Sequence, residues 1–232
     1  SYYDDVAATF TNFAMSGIDK VHFGLEAAVS IPIYHTLALN GAVSWGQYTY
    51  DSNPYYLQTQ DNSGDIVSDG YVYWKDFRVE STPQTAVNVG LSWRSNNNIY
   101  LSADFNYYNN MYLSMSPIYR TDAVITGGMA PGDIEHLRRQ EKFDSAYTLN
   151  ASIGKNWYIH RVYMLGFSLE VKNILNDQTI RTGGYEQMRL SRRTYVNKEG
   201  AAAQPIQYYV PFDSKYFYLL GTTYYLNVYF RF

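Results

Sequence analysis

The densest run of side chains able to bind or react lies between Thr182 and Gln204, where Arg189, Arg192, Arg193 and Lys198 follow one another with Arg181 just before. Guanidinium groups at that spacing can hold phosphate or carboxylate oxygens through paired, charge-assisted hydrogen bonds. The competing reading is a solvated loop, because charge runs usually face water. A second group is Tyr119, Arg120, Asp122, His136, Arg138 and Arg139, in which Arg120 and Asp122 are spaced to pair with each other within a loop. A third, Tyr55, Tyr56, Tyr71, Tyr73 and Trp74, offers rings for stacking on sugars or on a hydrophobic chelate, or for an aromatic belt where hydrocarbon meets headgroups. Asp61, Asp65 and Asp69 recur around Asn62, Ser63 and Gly64. Calcium needs several convergent oxygens, and this order does not follow the helix-loop-helix ligand pattern, so no metal site is expected. The residues expected to touch a ligand are Tyr56, Tyr73, Trp74, Arg120, Arg189, Arg192 and Arg193.

Catalysis finds no matching constellation. His35 and His160 fall in short turns, His22 sits near the start of a strand, and His136 alone lies in a long connection. A nucleophile elbow of the Gly-x-Ser-x-Gly type and a His-Glu-x-x-His helix are both missing from the sequence. Nor do a base and its orienting partner converge on a nucleophile. The expectation is a protein that is not an enzyme and needs no cofactor. With no cysteine, thiolate chemistry and disulfides are excluded, which suits an oxidising compartment without demonstrating one.

Composition narrows the class further. Eighteen Lys and Arg against 21 Asp and Glu give a net charge of -3, which implies no nucleic-acid partner. Tyrosine is the dominant aromatic, 26 residues against 11 Phe and 4 Trp. No apolar run reaches the roughly 18 residues of a spanning helix. The mean hydropathy of -0.35 remains compatible with spanning strands, because every second residue of such a strand faces a polar lumen. The N-terminal Ser1-Tyr2-Tyr3-Asp4-Asp5 lacks the basic and apolar regions of a signal peptide, so the chain is expected to be mature, truncated or cleaved.

The elements that must position these groups are strands, read from period-two alternation. Val21, Phe23, Leu25, Ala27, Val29, Ile31 and Ile33 alternate with small or polar residues, and the pattern returns at Leu37, Leu39, Val43 and Trp45. It recurs at Val87, Val89, Leu91 and Trp93, then at Ile99, Leu101, Ala103, Phe105 and Tyr107. Leu149, Ala151 and Ile153 form the fifth apolar row, and Tyr163, Leu165, Phe167, Leu169 and Val171 the sixth. Tyr224, Leu226, Val228, Phe230 and Phe232 form the last. Tight turns near Tyr34, Asn97 and His160 alternate with long polar segments around 51 to 84, 114 to 145 and 176 to 215. Outer-membrane barrels have this asymmetry of short periplasmic turns and long extracellular loops. The fold expected is therefore all-β, an antiparallel transmembrane β-barrel in one domain over residues 1–232. Residues 1 to 20 are expected to be the returning part of a loop without strict alternation. Seven is an odd count for a single-chain bacterial barrel, and an open sheet in hydrocarbon leaves backbone groups unpaired. The strands are thus expected to be the C-terminal portion of a larger barrel.

Phe23-Gly24-Leu25-Glu26, Ser81-Thr82-Pro83, Val171-Lys172-Asn173-Ile174-Leu175-Asn176 and the Phe-terminated last strand resemble TonB-dependent outer-membrane receptors. Tyr2-Tyr3-Asp4-Asp5, Pro117-Ile118-Tyr119-Arg120-Thr121-Asp122 and Ser214-Lys215-Tyr216-Phe217 are similar to the Bacteroidetes type. The resemblance implies a 22-stranded barrel in the outer membrane of a Gram-negative cell, with an N-terminal plug and a periplasmic C-terminus. It implies import of a scarce nutrient (an iron chelate, vitamin, peptide or oligosaccharide) driven through the TonB complex. Its implied partners are membrane lipid, lipopolysaccharide, the barrel-assembly machinery and a surface lipoprotein. Phe232, Phe230 and Val228 would then serve as the assembly signal. The plug and the TonB-contacting segment match nothing in this sequence. A non-transporting barrel, whether porin, adhesin or surface-assembly component, is the alternative.

Overall fold

Alternation of branched or aromatic residues with small polar ones builds long strands that carry two different faces. The computed structural model describes residues 1–4, 7–80, 82–126, 139–160, 162–196 and 205–232, with backbone alone at 192–196 and 205–208. In chain order, β1 (Tyr2–Asp4) and β2 (Thr9–Ser16) precede the long strands β3 (Lys20–Tyr34) and β4 (Leu37–Tyr50). Next come β5 (Tyr55–Gln60), β6 (Ile66–Tyr71), β7 (Thr85–Arg94) and β8 (Ile99–Asn109). A single 3-10 turn, Ile118–Arg120, leads into the short helix α1 (Asp122–Thr126). After it follow β9 (Ala146–Ile159), β10 (Tyr163–Lys172), β11 (Arg181–Tyr185), β12 (Leu190–Val196), β13 (Pro205–Pro211), β14 (Lys215–Tyr218) and β15 (Thr223–Arg231).

The largest sheet is antiparallel in the order β15-β10-β9-β8-β7-β4-β3. Its strands are joined by short turns at one end, between β3 and β4, β7 and β8, and β9 and β10, and by long connections at the other. Asn98 and His160 take positive φ in two of those turns (57° and 53°). Arg231 pairs with Met164 at the start of β10, which sets the end of β15 on the short-turn edge. The sheet is open: β3 and β15 each have one unpaired edge among the described residues. Every residue of β3 is exposed.

The long connections are not bare loops. They hold a four-stranded sheet ordered β1-β2-β5-β6 and two hairpin-like pairs, β11 with β14 and β12 with β13. Among the described residues there are fifteen strands, seven of them in the large sheet, and residues 1 to 20 carry two of the others instead of a returning loop. These strands are short and pack over irregular cores, so their faces do not alternate cleanly between two environments. Three buried clusters lie on this side: Ile118, Tyr119, Val124 and Leu190; Tyr50, Tyr56, Val72, Trp74 and Met115; Met111, Leu113, Phe143 and Ala146. The large sheet itself buries little, and Leu25, Val29, Leu91, Leu226 and Phe230 all stand exposed.

Candidate functional site

The odd-numbered residues of β3, β4, β7, β8, β9 and β10 share one face with the even-numbered residues of β15, as the register shows: Leu101 lies opposite Ile153, Ile153 opposite Leu169, and Leu169 opposite Leu226. That face is aliphatic through its middle and aromatic at both ends. Toward the long connections stand Phe23 with Trp45 (ring centroids 6.1 Å apart) and Phe105 with Tyr147 (6.1 Å). Toward the short turns stand Trp157 with Phe167 (5.8 Å) and Tyr163 stacked on Phe230 (5.8 Å). Lys155, a charge on this face, holds its ammonium 5.3 Å from the Trp157 ring centre, as a long cationic side chain does at an interface.

The opposite face is polar, and its side chains hydrogen-bond from strand to strand. Ser30 donates to Asn40 (2.7 Å), and Asn40 in turn to Ser92 (3.1 Å). Asn88 donates to Asn106 (2.8 Å), which donates to Thr148 (3.3 Å). Ser102 and Ser152 share a bond of 2.8 Å. Glu26, Asp104 and Glu170 add carboxylates to this face, and Glu170 lies 3.4 Å from Lys172.

Over the long-connection end, several residues expected to meet a ligand are occupied otherwise. Arg120 is 1% exposed. Its guanidinium grips Glu186 with two nitrogens, at 2.5 and 2.9 Å, donates to the Ser116 carbonyl at 3.1 Å, and lies over the Phe77 ring at 5.4 Å. The expected Arg120 to Asp122 pair does not form. Asp122 accepts instead from the Tyr71 backbone N–H (2.9 Å) and from the Tyr73 hydroxyl. Asp122, two positions on at the start of α1, turns to these exposed donors while Arg120 enters the core. Tyr56 and Trp74 are also buried: Phe13 stacks on Tyr56 at 5.0 Å, and Trp74 packs on Tyr50 at 4.8 Å. These three side chains hold the cap together, and their surface is spent almost wholly on its packing. Tyr73 stays half exposed, as do Tyr55 and Tyr71, whose rings meet edge to face at 5.7 Å.

Arg189 lies against the Phe212 ring at 4.6 Å, and its carbonyl accepts the Tyr119 hydroxyl. Burial pushes that hydroxyl up to about 12, a phenolate being costly to form away from water. The backbones of Arg192 and Arg193 pair with Tyr209 and Tyr208 across β12 and β13, but their side chains, like His136, Arg138 and Lys198, lie outside the described residues. Arg181 pairs with Glu141 (2.9 Å), packs over the Tyr216 ring (4.4 Å), and shares Glu141 with the Tyr216 hydroxyl. Desolvation and then the Glu141 carboxylate raise that hydroxyl above its ordinary pKa.

Asp61, Asp65 and Asp69 go to separate donors, Asn12, Ser63 and the Tyr55 hydroxyl. Among the described residues no group of three metal-ligating side chains converges. No described helix is long and apolar enough to cross a membrane. A cavity of 380 Å³ opens between the four-stranded sheet and α1, lined by Phe13, Tyr56, Gln58, Thr121, Val124 and Leu190 among others.

Sequence reasoning missed Glu186 and Glu141, because a pair separated by 66 or 40 residues leaves no local pattern. It also named Asn173 as part of a motif without seeing its work. Asn173 sits at φ 51° and is 3% exposed. Its N–H goes to the Asn150 side chain, its amide donates to the carbonyls of Asp177 and Leu220, and its carbonyl accepts the Thr222 hydroxyl. This residue ties the start of the last long connection to its return. Asn173→Ala should cost about 2 kcal/mol, since it strands buried partners and places alanine at positive φ. Protease sensitivity of the 173–222 segment would show it, and unchanged cleavage would reject the role.

Compared with protein-family models, with curated proteins and with solved structures, the chain matches none.

Proposed function

We propose that the chain is the C-terminal section of the barrel of an outer-membrane active-transport receptor of the TonB-dependent kind, importing a scarce nutrient such as an iron chelate, vitamin, peptide or oligosaccharide. The observation that carries this reading is the two-faced sheet. An exposed aliphatic band bracketed by aromatic rings suits hydrocarbon between two interfaces, while the hydrogen-bonded polar face suits an aqueous lumen. At roughly 3.3 Å per residue, the ten steps from Tyr147 to Trp157 cover about 33 Å along the strand, or about 25 Å of membrane depth at a tilt of roughly 40°.

The free edges of β3 and β15 support a section rather than a closed barrel. Unpaired backbone groups in lipid cost several kcal/mol each, so these edges take further strands in the working protein. On this reading the short turns and Phe232 face the periplasm, and the capped long connections face outward among lipopolysaccharide. Phe232, Phe230 and Val228 would be presented to the barrel-assembly machinery. A plug contacting TonB and a surface lipoprotein are partners implied by the resemblance. The protein extracted in detergent should migrate differently before and after heating. Its intact mass should exceed 26.8 kDa, and its cargo uptake should stop when TonB is removed. A water-soluble species of 26.8 kDa with heat-indifferent mobility would overturn the membrane reading, whereas uptake that persists without TonB would overturn the energised one.

A further inference from the structure

The polar face carries two glycines, Gly154 in β9 and Gly166 in β10, each lying directly opposite a tyrosine on the neighbouring strand: Tyr100 in β8 and Tyr229 in β15. Ring atoms of each tyrosine fill the place that a Cβ on its glycine would take. Each hydroxyl then reaches one strand further. Tyr100 crosses β9 and donates to the Phe167 carbonyl of β10 at 3.2 Å. Tyr229 crosses β10 and donates to Asn156 of β9 at 2.5 Å. The two side chains therefore reach over the central strands from opposite sides, so that β8, β9, β10 and β15 are tied by contacts other than the backbone ladder.

The geometry points to a register lock: Tyr229, seated on Gly166 and bonded to Asn156, selects the one alignment in which β15 pairs with β10. Backbone ladders alone do not discriminate alignments that differ by two residues, because such a slip keeps both faces on their proper sides. Here a slip by two in either direction sets Tyr229 opposite Ser168 or Met164 in place of Gly166. Both bring a side chain into the space that the ring fills, and both carry the hydroxyl away from Asn156. The lock acts where the sheet needs it, because among the described residues β15 pairs with β10 alone and its apolar residues repeat at every second position.

These 232 residues hold no cysteine, so introduced pairs are the thiols of these strands and report their register. Ser168→Cys with Asn227→Cys reads the native alignment, since these residues face each other. Ser168→Cys with Tyr225→Cys reads one slip, and Glu170→Cys with Asn227→Cys the other. Cross-linking is scored as slipped over native product, so a loss of yield does not enter. With Tyr229 present the native pair should dominate, and Tyr229→Phe should keep it dominant because the ring remains. Tyr229→Ala and Gly166→Val should each raise the slipped share roughly fivefold, about 1 kcal/mol of cross-strand packing. A ratio unmoved by both substitutions would overturn the lock. The assay reads strand pairing in lipid or in detergent alike, so its failure leaves the transport reading untouched.

Discussion

Replacing Arg120 with alanine should destabilise the cap over the long-connection end by about 3–5 kcal/mol, the cost of leaving a buried carboxylate without its partner. Glu186 would lose two charge-assisted bonds, at 2.5 and 2.9 Å, while its side chain is 13% exposed. The same carboxylate accepts the Ser116 backbone N–H at 2.8 Å. The damage would therefore spread into the turn that carries Ile118 and Tyr119. Replacing both partners, Arg120→Met with Glu186→Met, should recover most of the loss, because an apolar pair of similar volume removes the desolvation penalty on both sides. The urea midpoint of the detergent-solubilised protein, followed by protease protection of residues 111–126, measures it. A single variant as stable as the parent would mean that the Arg120–Glu186 pair adds nothing to the stability of the cap.

The second large effect belongs to the sheet. With the aliphatic face in lipid as proposed, Ile153→Arg should cost about 2–4 kcal/mol, the penalty for a guanidinium near the bilayer midplane. Ile153 is flanked by Leu101 and Leu169 on the exposed aliphatic face. Ser168→Arg, on the polar face beside Gly154 and Asn227, should be tolerated to within about 1 kcal/mol, since a lumen-facing cation stays hydrated. Folding into lipid vesicles against urea compares the two directly. Equal losses at both positions would mean that the faces have been assigned the wrong way round or that neither meets lipid.

Alternation made β3, β4, β7, β8, β9, β10 and β15 legible, because each carries one apolar and one polar face along its whole length and its residues report both. The cap was not legible for the same physical reason. In β2, Thr11 is fully buried while Phe10 beside it is exposed, and in β5 the inward positions are Tyr56 and Gln58, so polarity there does not track direction. The candidate site suffered most. Tyr56, Trp74 and Arg120 have the side chains a ligand site would use, yet the chain spends them on its own packing. What separates the two uses is a partner distant in sequence, Glu186 for Arg120 and Phe13 for Tyr56, and no local spacing encodes it. Asn173 shows the reverse case, a motif visible in the sequence whose meaning appears only when its bonds to Asp177, Leu220 and Asn150 are seen together.

The rows of hydrogen-bonded side chains that cross the polar face from Ser30 to Ser92 and from Asn88 to Thr148 have a mechanical meaning. Sliding one strand along its neighbour would break the backbone ladder and these lateral ties at once, so the wall resists shear as a braced panel does. In the barrel proposed above, a solute moving along this face would meet a fixed lattice of donors and acceptors, and control of passage would fall to whatever sits within the pore.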